Sequence, residues 1–108
     1  MVKTETAIKE IVQEYVSRLN RTITVDKVLL FGSYADGEAL STSDIDLVVI
    51  SEDFANIVFH ERLVFLLKHW HAHIGADILG YTSEEFDRFS QGITLIAEIK
   101  NKGKIIWG

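Results

Sequence analysis

The chain has 108 residues, of which 47% are hydrophobic, and this predicts one small domain over residues 1–108 with a substantial core. No apolar run approaches the roughly 18 residues that a membrane-spanning helix needs, so we expect no membrane partner. Cysteine is absent, which excludes disulfides, zinc–thiolate sites and cysteine nucleophiles.

The charge balance argues against nucleic acid as a bulk ligand. Eleven Lys and Arg residues stand against sixteen Asp and Glu residues, which gives a formal net charge of −5. Proteins that grip nucleic acid through its phosphates usually present a basic face, whereas the basic residues here are scattered, except for Lys100, Lys102 and Lys104. The N-terminal segment is charged and lacks an apolar signal region, so we expect a cytoplasmic protein.

The first half of the chain predicts one helix followed by two strands. Apolar residues recur every three or four positions over residues 4–20, which predicts an amphipathic helix. Residues 22–31 are rich in β-branched side chains and end at Gly32, which predicts a strand. Residues 44–51 predict a second strand that is apolar on both faces after Asp46, so we expect it to lie inside a sheet.

The middle of the chain predicts a helix followed by a third strand. Helical periodicity runs over residues 55–73, and Gly75 is the residue expected to end this helix. The apolar segment over residues 76–82 then predicts a short strand inside the sheet.

The last quarter of the chain predicts two helices and a strand. Ser83 is the expected N-cap of a helix that has two glutamates in its first turn and continues past Phe89. A break near Gly92 separates it from a helix over residues 93–99, and residues 103–108 predict a final strand. Because helices alternate with strands throughout, the expected class is α/β or α+β, with helices packed on a mixed sheet.

Gly32 and Ser33 lie where the first strand ends. A turn of this kind before helix-compatible residues places backbone N–H groups at a helix start, where they and the helix dipole favour a phosphate. The Ser33 hydroxyl could add a further hydrogen bond. The alternative is an ordinary turn in which Ser33 caps a short helix, since Gly-Ser is common in turns.

Asp44 and Asp46 lie two residues apart at the start of the second strand. Side chains two apart on a strand point to the same face, so these carboxylates are expected to repel each other. A divalent cation such as Mg²⁺ would relieve that repulsion, because it takes carboxylate and phosphate oxygens. The alternative is that both aspartates are the solvated polar start of a strand.

Asp77 lies within the apolar third strand, where an unpaired carboxylate is costly unless a cation, hydrogen-bond donors or a raised pKa compensates. If this strand neighbours the second one, Asp77 meets Asp44 and Asp46, and such a group could hold two metal ions. The alternative is a strand-end aspartate that accepts backbone N–H bonds.

At these residues the sequence resembles a known family. Gly32-Ser33, ten further residues and then the segment D-I-D at 44–46 resemble the G-S-x₁₀-D-x-D signature of nucleotidyltransferases of the DNA polymerase β-like superfamily. Asp77 occupies the place of that family's third carboxylate. The length and the string "GSYADGEALSTSDIDLVV" are similar to the minimal nucleotidyltransferases, small prokaryotic proteins often paired with a HEPN-domain partner.

The resemblance implies a nucleotidyltransferase fold, in which helices flank a mixed central sheet. It also implies that Gly32 and Ser33 hold the triphosphate of ATP. Asp44, Asp46 and Asp77 would bind two Mg²⁺ ions (or Mn²⁺), and Asp77 would help to activate the acceptor hydroxyl.

The activity implied by the resemblance is transfer of a nucleoside monophosphate, AMP from ATP, to a hydroxyl group. The short chain leaves little room for a substrate-recognition domain, so the expected acceptor lies on another chain, a HEPN toxin whose antitoxin this protein would be, in a complex that could be oligomeric. One alternative is an antitoxin that neutralises its partner by binding alone. A small-molecule nucleotidyltransferase is a third reading.

One residue departs from the family pattern. Many relatives carry Arg in the sequence G-S-x-A-R-G, where this chain has Asp36. An anion at this position, with Glu38 close by, is expected to weaken the binding of a triphosphate. The complete set of aspartates nevertheless favours an active enzyme.

Overall fold

The computed structural model describes residues 5–40, 43–92 and 94–108, which alternate between helices and strands as the sequence predicts. The helices are α1 (Glu5–Leu19), α2 (Ser33–Asp36), a 3-10 helix (Glu52–Asn56), α3 (Phe59–Lys68), α4 (Ser83–Phe89) and α5 (Thr94–Lys102). The strands are β1 (Lys27–Phe31), β2 (Ile45–Ile50), β3 (Ala76–Tyr81) and β4 (Lys104–Trp107). None of the helices in the described residues has the length and apolar character required to cross a membrane.

The four strands form one mixed sheet in the order β3-β2-β1-β4. β1 pairs antiparallel with both β2 and β4, whereas β2 and β3 are parallel and pair from Ile45↔Ala76 to Ile50↔Tyr81. The predicted class, helices packed on a mixed sheet, is therefore confirmed. β3 is an edge strand, however, so the prediction that the third strand lies inside the sheet is wrong.

β2 is covered on both faces, as its sequence predicts. Leu47 and Val49 belong to a cluster with residues of α1 and α3, while Val48 and Ile50 belong to a second cluster with residues of α4 and α5. All four side chains are fully buried. Because alternate residues of a strand face opposite sides, this pattern also assigns Asp46 to the face that α4 and α5 cover.

Several helices and strands are shorter than predicted, because contacts with distant residues hold the ends of these segments in other conformations. The strand expected over residues 22–31 is β-structured only in β1, since loop hydrogen bonds hold the preceding residues: the Thr24 N–H donates to Asp53 and the Val25 N–H to Asn20. Of the helix expected over residues 55–73, only α3 is α-helical, and the 3-10 helix includes the first residues of that segment. Residues 4 and 93 of the predicted helices lie outside the described residues.

The N-cap of α4 is Thr82, so the prediction of Ser83 is wrong. The Glu85 N–H donates to the Thr82 hydroxyl, and the Thr82 N–H donates to the Glu85 carboxylate. This capping box satisfies two backbone donors at the helix start.

A buried arginine joins the elements around β3. The Arg62 side chain on α3 is 5% exposed and donates to the carbonyl oxygens of Ile57, Phe54 and Gly80. It also forms two hydrogen bonds of 2.6 and 3.0 Å with the Glu85 carboxylate. These bonds lower the pKa of Glu85. One guanidinium thus ties α3, the 3-10 helix, β3 and α4 together.

We expect Arg62→Met to lower the free energy of unfolding by about 3–5 kcal/mol, because it leaves the Glu85 carboxylate without its cation and removes a hydrogen-bond donor from each of three carbonyl groups. Lys100→Met is the matched control, since the exposed Lys100–Asp87 pair at 2.9 Å should contribute less than about 1 kcal/mol. Urea unfolding of both variants checks this. Equal losses would contradict the importance of the network.

Candidate active site

Two of the predicted site aspartates lie side by side on neighbouring strands. Asp46 of β2 is the register partner of Asp77 of β3, and residues paired in a parallel ladder project to the same face. The condition under which Asp77 meets the other aspartates, that the second and third strands are neighbours, is therefore met. Asp44 precedes β2 by one residue and lies two positions before Asp46. Asp44 and Asp77 are exposed, so the expected cost of burying the Asp77 carboxylate is absent. It is the strand register that places Asp77 beside Asp46.

The three carboxylates share one electrostatic environment. Burial raises the pKa of the Asp46 carboxyl group, and the charges of Asp77 and then Asp44 raise it further. Among the described residues, the Asp77 carboxylate accepts no hydrogen bond, so the alternative of a strand-end aspartate held by backbone N–H groups finds no support. The arrangement concentrates negative charge at the end of the sheet where β2 and β3 begin.

Two glycines make room for these carboxylates. A Cβ atom on Gly32 would collide with Oδ2 of Asp46, and a Cβ atom on Gly75 would collide with Oδ1 of Asp44. Gly32 also has φ 72° and ψ −154°, a conformation that is essentially restricted to glycine. Gly75 does not end a helix, as its sequence position suggested, but lies before β3, where its carbonyl accepts the Ile45 N–H at 2.9 Å.

The carboxylates of Asp44 and Asp46 turn towards opposite sides of β2. Asp46 lies against Gly32 at the end of β1, while Asp44 lies against Gly75 at the start of β3. Consistent with this divergence, no three His, Cys, Asp or Glu side chains in the described residues are gathered so that they could hold a metal ion as they stand. Like charges at this spacing favour such a divergence, and binding a shared cation requires the side chains to rotate.

The turn after β1 leaves the Ser33 hydroxyl unused. Gly32 is the N-cap of α2, and its carbonyl accepts the N–H groups of Ala35 and Asp36 at 3.1 Å each. Ser33 is the first helical residue and makes no capping bond, so the alternative in which it caps the helix is wrong. Within the described residues its side chain has no hydrogen-bond partner, and it is half-buried. The hydroxyl is therefore available to a ligand beside Asp46.

A pocket of about 240 Å³ opens next to this turn, between α2 and α5. Its lining residues are Phe31, Gly32, Asp36, Leu95, Glu98, Ile99 and Lys102. Gly32 lines this pocket and also lies against the Asp46 carboxylate, so the pocket and the aspartates meet at the turn after β1. Asp36 is exposed on its wall, which places an anion beside the turn, as its sequence position suggests.

A known family of domains matches this chain over most of its length. The family model described as "Nucleotidyltransferase domain" matches residues 7–105, nearly the whole chain. The chain therefore belongs to the nucleotidyltransferase domain family, and the family predicted from the G-S-x₁₀-D-x-D motif is confirmed.

Three curated relatives come from Methanocaldococcus jannaschii. "Putative protein adenylyltransferase MJ1215" is 44% identical over 48 residues, which cover 44% of this chain and 56% of that protein. "Putative protein adenylyltransferase MJ0126" is 40% identical over 48 residues, or 49% of its length. "Putative protein adenylyltransferase MJ1379" is 44% identical over 48 residues, or 48% of its length. The chain thus spans about half the length of the curated relatives it matches.

Solved structures share the fold. The crystal structure of "a putative nucleotidyltransferase" from Sulfolobus solfataricus superposes with a TM-score of 0.63 and 23% identity, covering 94% of this chain and 77% of that one. A toxin-antitoxin crystallised with AMP-PNP superposes with a TM-score of 0.59 and 21% identity, covering 93% and 73%. A mutant of the toxin-antitoxin MntA-HpeT reaches 0.50 and 19% identity, covering 98% and 74%. At these identities the likeness establishes the fold.

We expect Gly32→Ala to lower the free energy of unfolding by about 1–3 kcal/mol from backbone strain alone. Displacing the Asp46 carboxylate should lower it further. Gly75→Ala should displace Asp44 instead, without the strain of a positive φ. Gly92→Ala is the control, because no atom of the described residues lies within 4 Å of its Cβ position and its φ is not positive. Thermal unfolding compares the three. A neutral Gly32→Ala would contradict the close approach of Asp46.

We expect Asp46→Asn to stabilise the metal-free protein at neutral pH, because it removes a charge that is partly buried and that Asp77 and Asp44 repel. The raised pKa means that the penalty is absent below the ordinary value of 3.8 and complete once the pH exceeds the raised value. The advantage of Asp46→Asn over the wild type should therefore grow as the pH rises through this window. Thermal melts across pH measure it, with the exposed Asp87→Asn as control.

Proposed function

We propose that this domain transfers a nucleoside monophosphate, AMP from ATP, to a hydroxyl group with the help of divalent metal ions. The observation that carries the proposal is the register of β2 and β3, which sets Asp46 beside Asp77, next to Asp44 and the Gly32 turn. Membership of the nucleotidyltransferase domain family supports this class of reaction.

The donor set fits hard divalent cations. All three side chains offer carboxylate oxygens, which are the ligands that Mg²⁺ and Mn²⁺ prefer. Burial and, after it, the charges of Asp77 and Asp44 raise the pKa of Asp46, and a cation would relieve the repulsion. Asp44, Asp46 and Asp77 would hold two such ions. When bound, these ions supply neutralisation of the phosphate charge at the reacting centre.

The residues of the chain then bind and orient the reactants. Gly32 has no side chain, which lets a phosphate approach the turn, and the unused Ser33 hydroxyl can donate to a phosphate oxygen. The acceptor oxygen forms a bond to the α-phosphorus while the bond to the bridging oxygen breaks and pyrophosphate leaves. Asp77 receives the hydroxyl proton. Positioning and charge compensation account for the catalysis.

The acceptor is proposed to be a hydroxyl group of a partner protein, a HEPN toxin, in the cytoplasm. Two findings support a protein acceptor: the curated relatives are named as protein adenylyltransferases, and two structural neighbours are toxin-antitoxin assemblies. In this proposal the chain is the antitoxin and modification silences the toxin.

One observation favours a second candidate, in which the chain neutralises the toxin by binding alone. Asp36 is exposed on the wall of the pocket beside Gly32, and its charge disfavours a triphosphate there. The two candidates differ in whether neutralisation requires the aspartates.

We expect the wild-type protein to transfer label from α-³²P-ATP to its toxin partner in the presence of Mg²⁺ or Mn²⁺, and the Asp44→Asn, Asp46→Asn double variant to lose at least about a hundredfold in rate, since the charge-compensated site is lost. Asp87→Asn, which removes an exposed carboxylate on α4, should transfer label at the wild-type rate.

A growth assay with the toxin separates the two candidates. If the double variant still binds the toxin but no longer rescues growth, transfer is the mechanism. If it rescues growth as well as the wild type does, and no label moves with the folded wild-type protein, binding alone explains neutralisation.

A further inference from the structure

The pocket between α2 and α5 has a charge pattern that the carboxylate site does not explain. Phe31, Leu95 and Ile99 give it an apolar surface, and Leu95 remains 57% exposed. Asp36 and Glu98 contribute two negative charges to its wall. An apolar surface with a few charged groups at its rim is typical of a small-molecule site.

Lys102 is the one basic side chain among the residues that line this pocket. It lies at the end of α5 and is exposed, and within the described part of the chain its ammonium group forms no ion pair. Lys100, two residues earlier on the same helix, instead donates to Asp87 at 2.9 Å. The two lysines therefore have different roles, although they are neighbours in sequence.

A polyphosphate that enters this region meets strong negative charge. Asp46, with Asp77 and Asp44 near it, lies against Gly32, and Asp36 and Glu98 line the pocket that Gly32 also borders. Metal ions held by the first group would not compensate phosphate charge that lies inside the pocket, which none of those three aspartates lines. A cation of the protein is needed there, because like charges without compensation weaken binding.

We propose that Lys102 binds the phosphate chain of the donor nucleotide from the α5 side of the pocket, opposite Asp36. This inference rests on the proposed function and adds a binding residue on the C-terminal helix. Lysine suits the role, since its ammonium group is a compact charge on a flexible stem that can reach a phosphate from the exposed end of a helix.

Nucleotide binding to Lys102→Met tests the proposal. Titration calorimetry with Mg²⁺ should show ATP binding about tenfold weaker than to the wild type, or about 1.4 kcal/mol, and adenosine binding unchanged. Lys100→Met is the matched control and should bind ATP as the wild type does. Because Lys102 is exposed and unpaired within the described residues, urea unfolding should give the same stability for Lys102→Met and the wild type.

A second variant distinguishes a phosphate contact from a general loss of charge. Asp36→Arg in the Lys102→Met background places a cation on the opposite wall of the same pocket and should restore most of the ATP affinity. Equal ATP affinity for Lys102→Met and Lys100→Met, an equal loss for adenosine, or no restoration by Asp36→Arg would each overturn the role of Lys102. If the wild type binds no ATP with Mg²⁺, the proposed function itself fails.

Discussion

The repulsion between carboxylates on paired strands is the constraint on which the rest of this site depends. The parallel register of β2 and β3 sets Asp46 directly beside Asp77, and Asp44, two residues before Asp46, adds a third charge. Burial of Asp46 intensifies the effect and raises its pKa. Such a concentration of like charge does not stabilise a fold by itself, and the proposed binding of cations and phosphates would compensate it. The divergence of Asp44 and Asp46 towards Gly75 and Gly32 is how the metal-free protein relieves the repulsion.

The scaffold around the site resists this repulsion because it fixes the register. A slip of one residue between the strands would turn Asp77 to the opposite face. β2 is packed on both faces, which determines its orientation, and Arg62 fixes the other strand by binding the Gly80 carbonyl of β3 and the Glu85 carboxylate of α4. The buried Arg62 network thus holds one end of β3, and Asp77 lies near the other end of the same strand. Stability and the geometry of the candidate site are connected through β3.

Sequence reasoning succeeded where a local pattern carried the information and failed where a partner distant in sequence decided the outcome. The helix and strand order, the two-sided burial of β2 and the family followed from periodicity and a spaced motif. The N-cap moved to Thr82 because only the threonine can complete the capping box with Glu85. Arg62 was not identified, since a single arginine in a helical pattern gives no signal of burial among three carbonyl groups and a carboxylate that lie 5 to 23 residues away. Gly75 was interpreted as a helix end, because the residue that actually requires a glycine there, Asp44, lies 31 positions earlier in the sequence.

By itself the sequence determined which chemistry is available: a Gly-Ser turn, two aspartates one strand position apart on the same face, and a third aspartate in a later strand. These are properties of residue type and local spacing, and they survive any choice of packing. Only the tertiary structure decided that Asp77 pairs with Asp46 from an exposed edge strand and that Lys102 shares a pocket with Asp36. The physical reason is that strand register and helix placement are set by burial of apolar faces across the whole domain, which no short segment encodes.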